Sequence, residues 1–290
     1  STPIKSSAAS DVYKRQGLSL FHSVASFNNS GFDVLGNGTS LIPYQKDVLL
    51  NLVTCALVIA GGIGFPVIFE LPLKHFSWKR QSMHTRVVLS TTFALLLFGT
   101  LLLKLTESIS WLGAFFYSVS ARTAGFSTYN LSDFSTAGLL VVSGLMFIGA
   151  SPASTGGGIK TTTFFVLLSG IYSAATNHSE RAFHNAIPKD AFRKASVISM
   201  LAVFLVMTAS YLMLIFDPQL SLRDVLFEMI SAFSTSGLST GITPQLSAQS
   251  RILSIIMMYI GRLGPLTVAS LWYFTIGERV RYPEGTIAIG

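Results

Sequence analysis

The sequence contains little charge and almost no cysteine. Only 11% of its 290 residues are charged, whereas a soluble domain carries about 25%. This deficit excludes an ordinary soluble enzyme. The one cysteine, Cys55, lies in an apolar run, where packing is its expected role. A single cysteine excludes a disulfide framework and a cysteine-rich metal site.

The apolar residues are concentrated in long uncharged runs. A run of about 20 apolar residues crosses a bilayer. The sequence therefore predicts an all-α integral membrane protein with about five membrane-crossing helices, two of them interrupted. The runs cover residues 48–69, 87–103, 135–159, 161–179 and 195–216.

The net charge of +7 results from basic residues that lie between these runs. Such a pattern indicates membrane orientation rather than nucleic-acid binding, because lysine and arginine mark cytoplasmic loops. The segments near Asp33, at 107–133 and at 217–249 are poorer in basic residues and are expected to face outside. The predicted cytoplasmic loops contain Lys74, Lys79, Arg80 and Arg86, and Arg181, Lys189, Arg193 and Lys194.

Three short segments repeat one pattern. SVASFNNSGFDV, YSVSARTAGFST and MISAFSTSGLST align on Gly31, Gly125 and Gly237. The apolar stretch before each glycine is too short to cross a hydrocarbon core of about 30 Å at about 1.5 Å per residue. We therefore predict three re-entrant pore segments.

A non-helical strand at membrane depth is tolerated where it lines a watery cavity, and its carbonyls can there replace the hydration shell of a cation. Glycine suits such a strand because it adopts positive φ. The alternative is helix packing through small residues, but three copies in one register favour an ion filter. The predicted filter residues are Asn28, Asn29, Ser30, Gly31, Thr123, Ala124, Gly125, Ser234, Thr235, Ser236 and Gly237.

The apolar run from 135 to 179 is interrupted by GASPASTGGG at residues 149–158. Proline and consecutive glycines break a helix, so Ser151–Gly158 is expected near the conduction path. A simple kink is the alternative. GGGIKTTT is not a phosphate-binding loop, because Ile159 stands where glycine must precede Lys160. Lys160 either biases this loop or reaches toward lipid headgroups.

Two arginines lie among apolar residues. Arg262 is costly at membrane depth unless it faces water or a partner, and no acid lies nearby in sequence, so a functional position is favoured over a structural ion pair. Arg122 is expected to turn behind the filter and to bond backbone or an acid such as Glu228. Asp33 and Asp133 either attract cations or are simply solvated.

These motifs resemble the Trk/Ktr/HKT superfamily of cation transporters, and most closely the KtrB-type membrane subunits of bacterial Ktr potassium uptake systems. The resemblance extends from about Gly17 to Gly290 and rests on NNSGF, ARTAGFST, STSGLSTGITP, GASPASTGGGIKTTTF and GRLGPLT. It implies helix, pore-loop, helix units around a pseudo-fourfold pore, with potassium at the backbone of Gly31, Gly125 and Gly237. Sodium is a possible second ion.

The resemblance also implies a gate beneath the filter. It would consist of the broken-helix loop with Lys160 and Arg262, whose positive charge would oppose cation passage. The loop residues are Ser151, Pro152, Ala153, Ser154, Thr155, Gly156, Gly157 and Gly158.

The resemblance further implies a bacterial plasma-membrane location, a homodimer and a cytosolic, nucleotide-binding regulatory ring of the KtrA type. The predicted organisation is a non-native leader at 1–16, a partial second unit at 17–70, a third at 85–176, a fourth at 190–277 and a cytoplasmic tail at 278–290.

Other functional classes fit the sequence less well. No paired acids or nucleophile with a base lie within the apolar runs, so an intramembrane enzyme is not expected, and neither a cofactor nor a nucleic-acid partner is predicted. A sodium-permeable transporter of the same superfamily stays an alternative. A non-conducting assembly subunit would leave the three glycine-centred segments unexplained.

Overall fold

The computed structural model describes residues 3–33, 35, 36, 38–176, 181–183, 185–265 and 267, and these are mostly helical. The strands β1 (Arg181–Ala182) and β2 (Asn185–Ala186) form a small antiparallel hairpin. The predominance of helix confirms the expected all-α class. The helices are α1 (Pro3–Phe27), α2 (Val48–Gly62), α3 (Phe65–Leu73), α4 (Met83–Thr106), α5 (Trp111–Ser120), α6 (Thr136–Phe147), α7 (Thr161–Thr176), α8 (Lys189–Phe216), α9 (Leu222–Ser234) and α10 (Ala248–Leu263).

Two helices in the described part of the chain, α4 and α8, are long and apolar enough to cross a membrane. The pair α2 and α3 makes a third span if counted together, but it bends by 97°. The bend lies at Gly64, whose φ is +91°. The uncharged run 48–69 predicts a single span of the membrane, so this bend was not predicted. The helices α6 and α7 are shorter, because the run 135–179 is not helical between Phe147 and Thr161.

The first of the three short segments is longer than predicted. Helix α1 has 25 residues, against 10 in α5 and 13 in α9. It continues through residues 3–16, the segment interpreted as a leader, because no proline interrupts the chain between Pro3 and Phe27. The predicted tail at 278–290 and the last part of the fourth unit lie outside the described residues.

One order of elements occurs twice. A long helix, a short helix and a second apolar or amphipathic helix follow one another as α4, α5, α6 and as α8, α9, α10. In each set an acid at the end of the long helix caps the third helix. Glu107 accepts hydrogen bonds from the Ser135 N–H (2.9 Å) and hydroxyl (2.6 Å). Asp217 accepts them from the Ser247 N–H (3.1 Å) and hydroxyl (3.0 Å).

The short helices form the centre of the fold, and the long ones its periphery. Phe116 and Tyr117 of α5 and Phe233 of α9 are fully buried. In contrast, large apolar side chains of α4 and α8, such as Phe93 and Phe204, are more than 60% exposed. An exposed apolar surface on helices of this length suits contact with lipid.

Candidate functional site

The three aligned glycines meet in space. A Cβ atom added to Gly31 would lie 2.5 Å from the Ala124 carbonyl oxygen and 3.1 Å from the Gly125 Cα. A Cβ atom added to Gly125 would collide with the Ser236 carbonyl oxygen, and one on Gly237 would lie 4.0 Å from the Gly125 Cα. The segments therefore approach one another backbone to backbone, in the order Gly31, Gly125, Gly237.

Each glycine has positive φ: +65° at Gly31, +83° at Gly125 and +85° at Gly237. The residue two positions earlier also has positive φ in all three copies. It is Asn29 (+50°), Thr123 (+74°) or Thr235 (+53°). Three sequences that share few side chains thus adopt the same backbone pattern, in which two residues with positive φ are separated by one residue. Only glycine adopts positive φ without steric cost, which explains why glycine occupies the second of these two positions in each copy.

Each segment leaves the carboxyl end of a helix. Ser30 N–H donates to the Ala25 carbonyl and Ser236 N–H to the Ser231 carbonyl, both at 3.0 Å. These bonds close the last turn in the manner of a Schellman motif. Helices α1, α5 and α9 therefore direct their negative dipole ends toward the three glycines, an arrangement that favours a cation.

The loop at 149–158 lies against all three helix ends. Thr155 Oγ1 is 3.4 Å from the Phe27 carbonyl oxygen at the end of α1. A Cβ atom added to Gly156 would collide with the Thr123 hydroxyl, and one added to Gly157 would lie 2.5 Å from the Thr235 hydroxyl. Side chains larger than hydrogen would not fit between the loop and the glycine segments.

The loop is fixed to the bend between α2 and α3 by backbone hydrogen bonds. Ser151 N–H donates to the Gly62 carbonyl (3.0 Å), and Phe65 N–H donates to the Ala153 carbonyl (3.0 Å). Gly64 is required there, because an added Cβ would lie 2.5 Å from the Pro152 carbonyl oxygen. The breaks in the two helix pairs thus satisfy each other's backbone groups, as the membrane interior demands.

Two cationic side chains bind consecutive carbonyls of the loop. Lys160 Nζ donates to the Gly156 carbonyl at 2.7 Å, and Arg262 donates to the Thr155 carbonyl. Neither forms an ion pair with an acid among the described residues. Arg262, more than 100 residues distant in sequence, therefore reaches the loop through space.

Some side chains named from the sequence do not face the glycines. Asn28 is exposed, and its amide donates to the Val24 carbonyl of its own helix at 2.9 Å. Asp133 is exposed beside Ser132, which agrees with simple solvation. Asp33 accepts the Leu35 N–H at 2.8 Å and so shapes its own turn.

Of the two partners expected for Arg122, backbone or an acid such as Glu228, the contact with Glu228 is not formed. Arg122 is buried, and its Nε has no hydrogen-bond partner among the described residues. Glu228 instead accepts hydrogen bonds from Ser239 and Thr243, which follow Gly237. Sequence reasoning missed this contact, although an acid beyond the first turn of α9, among apolar neighbours, was a visible signal.

Within the described residues no group of three or more histidine, cysteine, aspartate or glutamate side chains could hold a metal ion. The oxygen atoms that surround the glycines are backbone carbonyls and hydroxyls. A site of this composition suits a weakly bound, mobile cation rather than a resident transition metal.

Comparisons with known proteins identify the family and the fold. The profile of the family described as "TrkH: Cation transport protein" matches residues 4–275, which include most of the segment interpreted as a leader. The crystal structure of the potassium transporter TrkH from Vibrio parahaemolyticus superimposes with a TM-score of 0.71 at 16% identity, covering 94% of this chain and 65% of that one.

Curated relatives are similar over nearly the whole chain. The Ktr system potassium uptake protein B of Vibrio alginolyticus is 36% identical over 93% of this chain and 62% of the relative. The Ktr system potassium uptake protein D of Bacillus subtilis is 35% identical over 97% and 65%. The potassium/sodium uptake protein NtpJ of Enterococcus hirae is 34% identical over 94% and 64%.

The chain therefore spans less than two thirds of the length of these relatives. Their names describe transporters, and the apolar helices of this chain fit a multi-pass membrane protein. This chain belongs to the TrkH family of cation transport proteins, which confirms both the resemblance seen in its motifs and the expectation that it is not an enzyme.

Proposed function

We propose that the full-length protein takes up potassium across the bacterial plasma membrane through a filter that includes the backbone of Gly31, Gly125 and Gly237. One observation carries the proposal. Three glycines with positive φ approach one another at the carboxyl ends of α1, α5 and α9. The names of the relatives supply the ion, since two are potassium uptake proteins.

The proposed chemistry is exchange of water for carbonyl oxygen. Carbonyls that surround a potassium ion replace its hydration shell, and the helix dipoles favour its positive charge. No side chain carries a charge at Gly31, Ala124, Gly125, Ser236 or Gly237, so the ion is held weakly enough to leave again. A single ring of carbonyls is expected to select less sharply than several stacked rings.

The loop at 151–158 is proposed as the gate, together with Lys160 and Arg262. It lies directly against the three helix ends, and the side chains of Lys160 and Arg262 donate hydrogen bonds to two of its carbonyls. Opening would require these hydrogen bonds to break and the loop to move aside. The same positive charges would repel a cation in the closed state.

The proposed partners are a second copy of the protein and a cytosolic nucleotide-binding ring of the KtrA type. Both come from the family resemblance. The exposed basic residues Lys79 and Arg80, between α3 and α4, offer a charged surface on the proposed cytoplasmic side.

The filter is tested by Gly125→Ser in the full-length protein, expressed in a strain that lacks potassium uptake. Positive φ and the nearby Ser236 carbonyl leave no space for the serine side chain. We expect potassium affinity to fall about tenfold or more, which corresponds to about 1.4 kcal/mol. Gly144→Ser is the matched control, because nothing lies within 4 Å of a Cβ added there. Unchanged uptake by a folded Gly125→Ser protein would contradict the filter.

Sodium transport is the second candidate function, and the name of the relative NtpJ favours it, since it includes both ions. The same strain, assayed with sodium in place of potassium, separates the two. A wild-type protein that takes up both ions equally would assign it to the sodium-permeable class.

The gate is tested by Arg262→Ala and by deletion of residues 155–158. Each removes the hydrogen bond between Arg262 and the Thr155 carbonyl, so we expect a higher ion flux or weaker dependence on the regulatory partner. Arg251→Ala is the control, because Arg251 lies on the same helix but bonds the Pro244 carbonyl outside the loop. Unchanged flux and regulation would exclude the gate.

A further inference from the structure

Glu228 is an unusual residue for its position. It lies on α9, nine residues before Gly237, and is only 9% exposed. It is the one buried carboxylate on a short helix of the described chain, since the other buried acid, Asp217, ends α8. A buried carboxylate is costly unless hydrogen bonds satisfy both oxygens.

Both oxygens of Glu228 are satisfied by the segment that follows Gly237. Ser239 Oγ donates to Oε2 at 2.9 Å, and Thr243 Oγ1 donates to Oε1 at 2.6 Å. Each hydroxyl can supply one hydrogen, so the two bonds would satisfy both oxygens of an ionised carboxylate. Hydrogen bonds to an ionised acceptor are about twice as strong as neutral ones.

The bonded residues are the two ends of one turn. Ser239 and Thr243 hydroxyl oxygens lie 2.9 Å apart, and Ser239 Oγ also accepts the Gly241 N–H at 3.0 Å. Within the described structure, residues 237–240 donate no backbone hydrogen bond to another backbone group. Packing of Leu238 in the core and the carboxylate of Glu228 therefore determine where this segment lies.

The third unit secures the equivalent segment with a neutral group. Tyr117, eight residues before Gly125, donates its hydroxyl to the Tyr129 carbonyl at 2.5 Å and accepts the Tyr129 N–H at 3.2 Å. In both units a side chain of the short helix holds the chain beyond the glycine. The fourth unit differs because its side chain is a carboxyl group.

We propose that Glu228 is a positioning residue for the filter. Its carboxylate fixes the turn from Ser239 to Thr243 and thereby the orientation of the Gly237 carbonyl toward the ion. The inference rests on the proposed filter, since it assigns the residue that keeps one of the filter carbonyls in place.

The test compares potassium with sodium uptake by the full-length protein. We expect Glu228→Gln to lower the ratio of potassium to sodium uptake by about tenfold, because it replaces one acceptor oxygen with an amide N–H₂ group that faces a hydroxyl. The double variant Ser239→Ala/Thr243→Val keeps the carboxylate and should lower the ratio similarly. The single variant Ser239→Thr keeps a hydroxyl at this position and should resemble wild type.

A control on the same helix is Asp224→Asn, since Asp224 accepts from Ser221 in the first turn of α9. The ratio of potassium to sodium uptake should not change in Asp224→Asn. Combining Glu228→Gln with the double variant should add no further loss, because all three changes remove one set of bonds.

The outcomes separate this inference from the filter itself. If Gly237→Ser alters selectivity but folded Glu228→Gln and the double variant do not, the filter stands and the positioning role is wrong. If Gly237→Ser is also silent, the filter proposal fails first. If Glu228→Gln does not fold, the double variant decides, and unchanged selectivity there overturns the inference.

Discussion

At the scale of single residues, several glycines allow backbone segments to touch. Gly61 of α2 faces the Phe27 carbonyl at the end of α1, and Gly261 of α10 faces the Phe233 carbonyl near the end of α9. Both positions precede a glycine with φ of +91°, at Gly64 and Gly264. The sequences GGIG and GRLG are therefore equivalent, although only the second contains an arginine.

Gly261→Ala tests this contact. An added Cβ would collide with the Phe233 carbonyl, so we expect the free energy of unfolding to fall by about 2 kcal/mol, as in overpacked sites. Gly144→Ala, at an exposed helical position with free space, should raise stability by about 0.5–1 kcal/mol. Thermal unfolding of both purified variants in detergent measures the difference. If Gly261→Ala were as stable as wild type, Gly261 would not be in close contact with the Phe233 carbonyl.

At the scale of elements, acids outside a helix cap its first turn. Glu70 accepts from the Ser82 N–H and hydroxyl, both at 2.6 Å, as Glu107 does from Ser135 and Asp217 from Ser247. Each acid belongs to a preceding helix or its end, so the bonds join two elements. They also satisfy donors that the start of a helix leaves free.

Asp217 makes one such cap dependent on pH. Hydrogen bonds from Ser250 and Ser247 hold the pKa of Asp217 below its usual value. Its contribution to stability is therefore complete above the unfolded value of about 3.9 and is lost as pH falls through the lower folded value. We expect Asp217→Asn to cost about 1 kcal/mol at pH 7 and less below pH 3.9.

Unfolding of wild type and Asp217→Asn over this pH range measures the effect. Asp133→Asn is the control, since Asp133 is exposed and its carboxylate accepts from the adjacent Ser132. A wild-type advantage that grows with falling pH would have the wrong sign and contradict the cap.

The sequence predicted elements whose cause is local. Pro152 and the consecutive glycines placed a break after α6, and the spacing around Gly125 and Gly237 predicted short helices before them. The bend at Gly64 was missed, because its partner, the Ala153 carbonyl, is remote in sequence. The acid–serine caps were missed for the same reason, since Glu107 and Ser135 are 28 positions apart.

At the scale of the whole molecule, charge should determine orientation. The basic segment between α3 and α4 precedes the apolar helix α4, whereas residues 126–135 end beside Glu107 at the opposite end of α4. Lysine and arginine mark the cytoplasmic side of membrane proteins. The fold and the charge pattern thus predict which surface each loop faces.

Labelling with a membrane-impermeant maleimide tests this orientation. In a Cys55→Ser background, Lys79→Cys should react only from the cytoplasm and Ser132→Cys only from outside, since both positions are exposed. Wild-type Cys55 is 3% exposed and should react only after unfolding. Reaction of both introduced cysteines from one side would overturn the predicted topology.

The caps on α6 and α10 have a consequence for modularity. Glu107 and Ser135 are the two ends of the segment 108–134, and Asp217 and Ser247 are those of 218–246. Each pair closes a loop that contains one short helix, the aligned glycine Gly125 or Gly237, and the chain beyond that glycine. The four residues that make the closing bonds lie outside the two segments, so each segment can be exchanged between related proteins without replacing these caps.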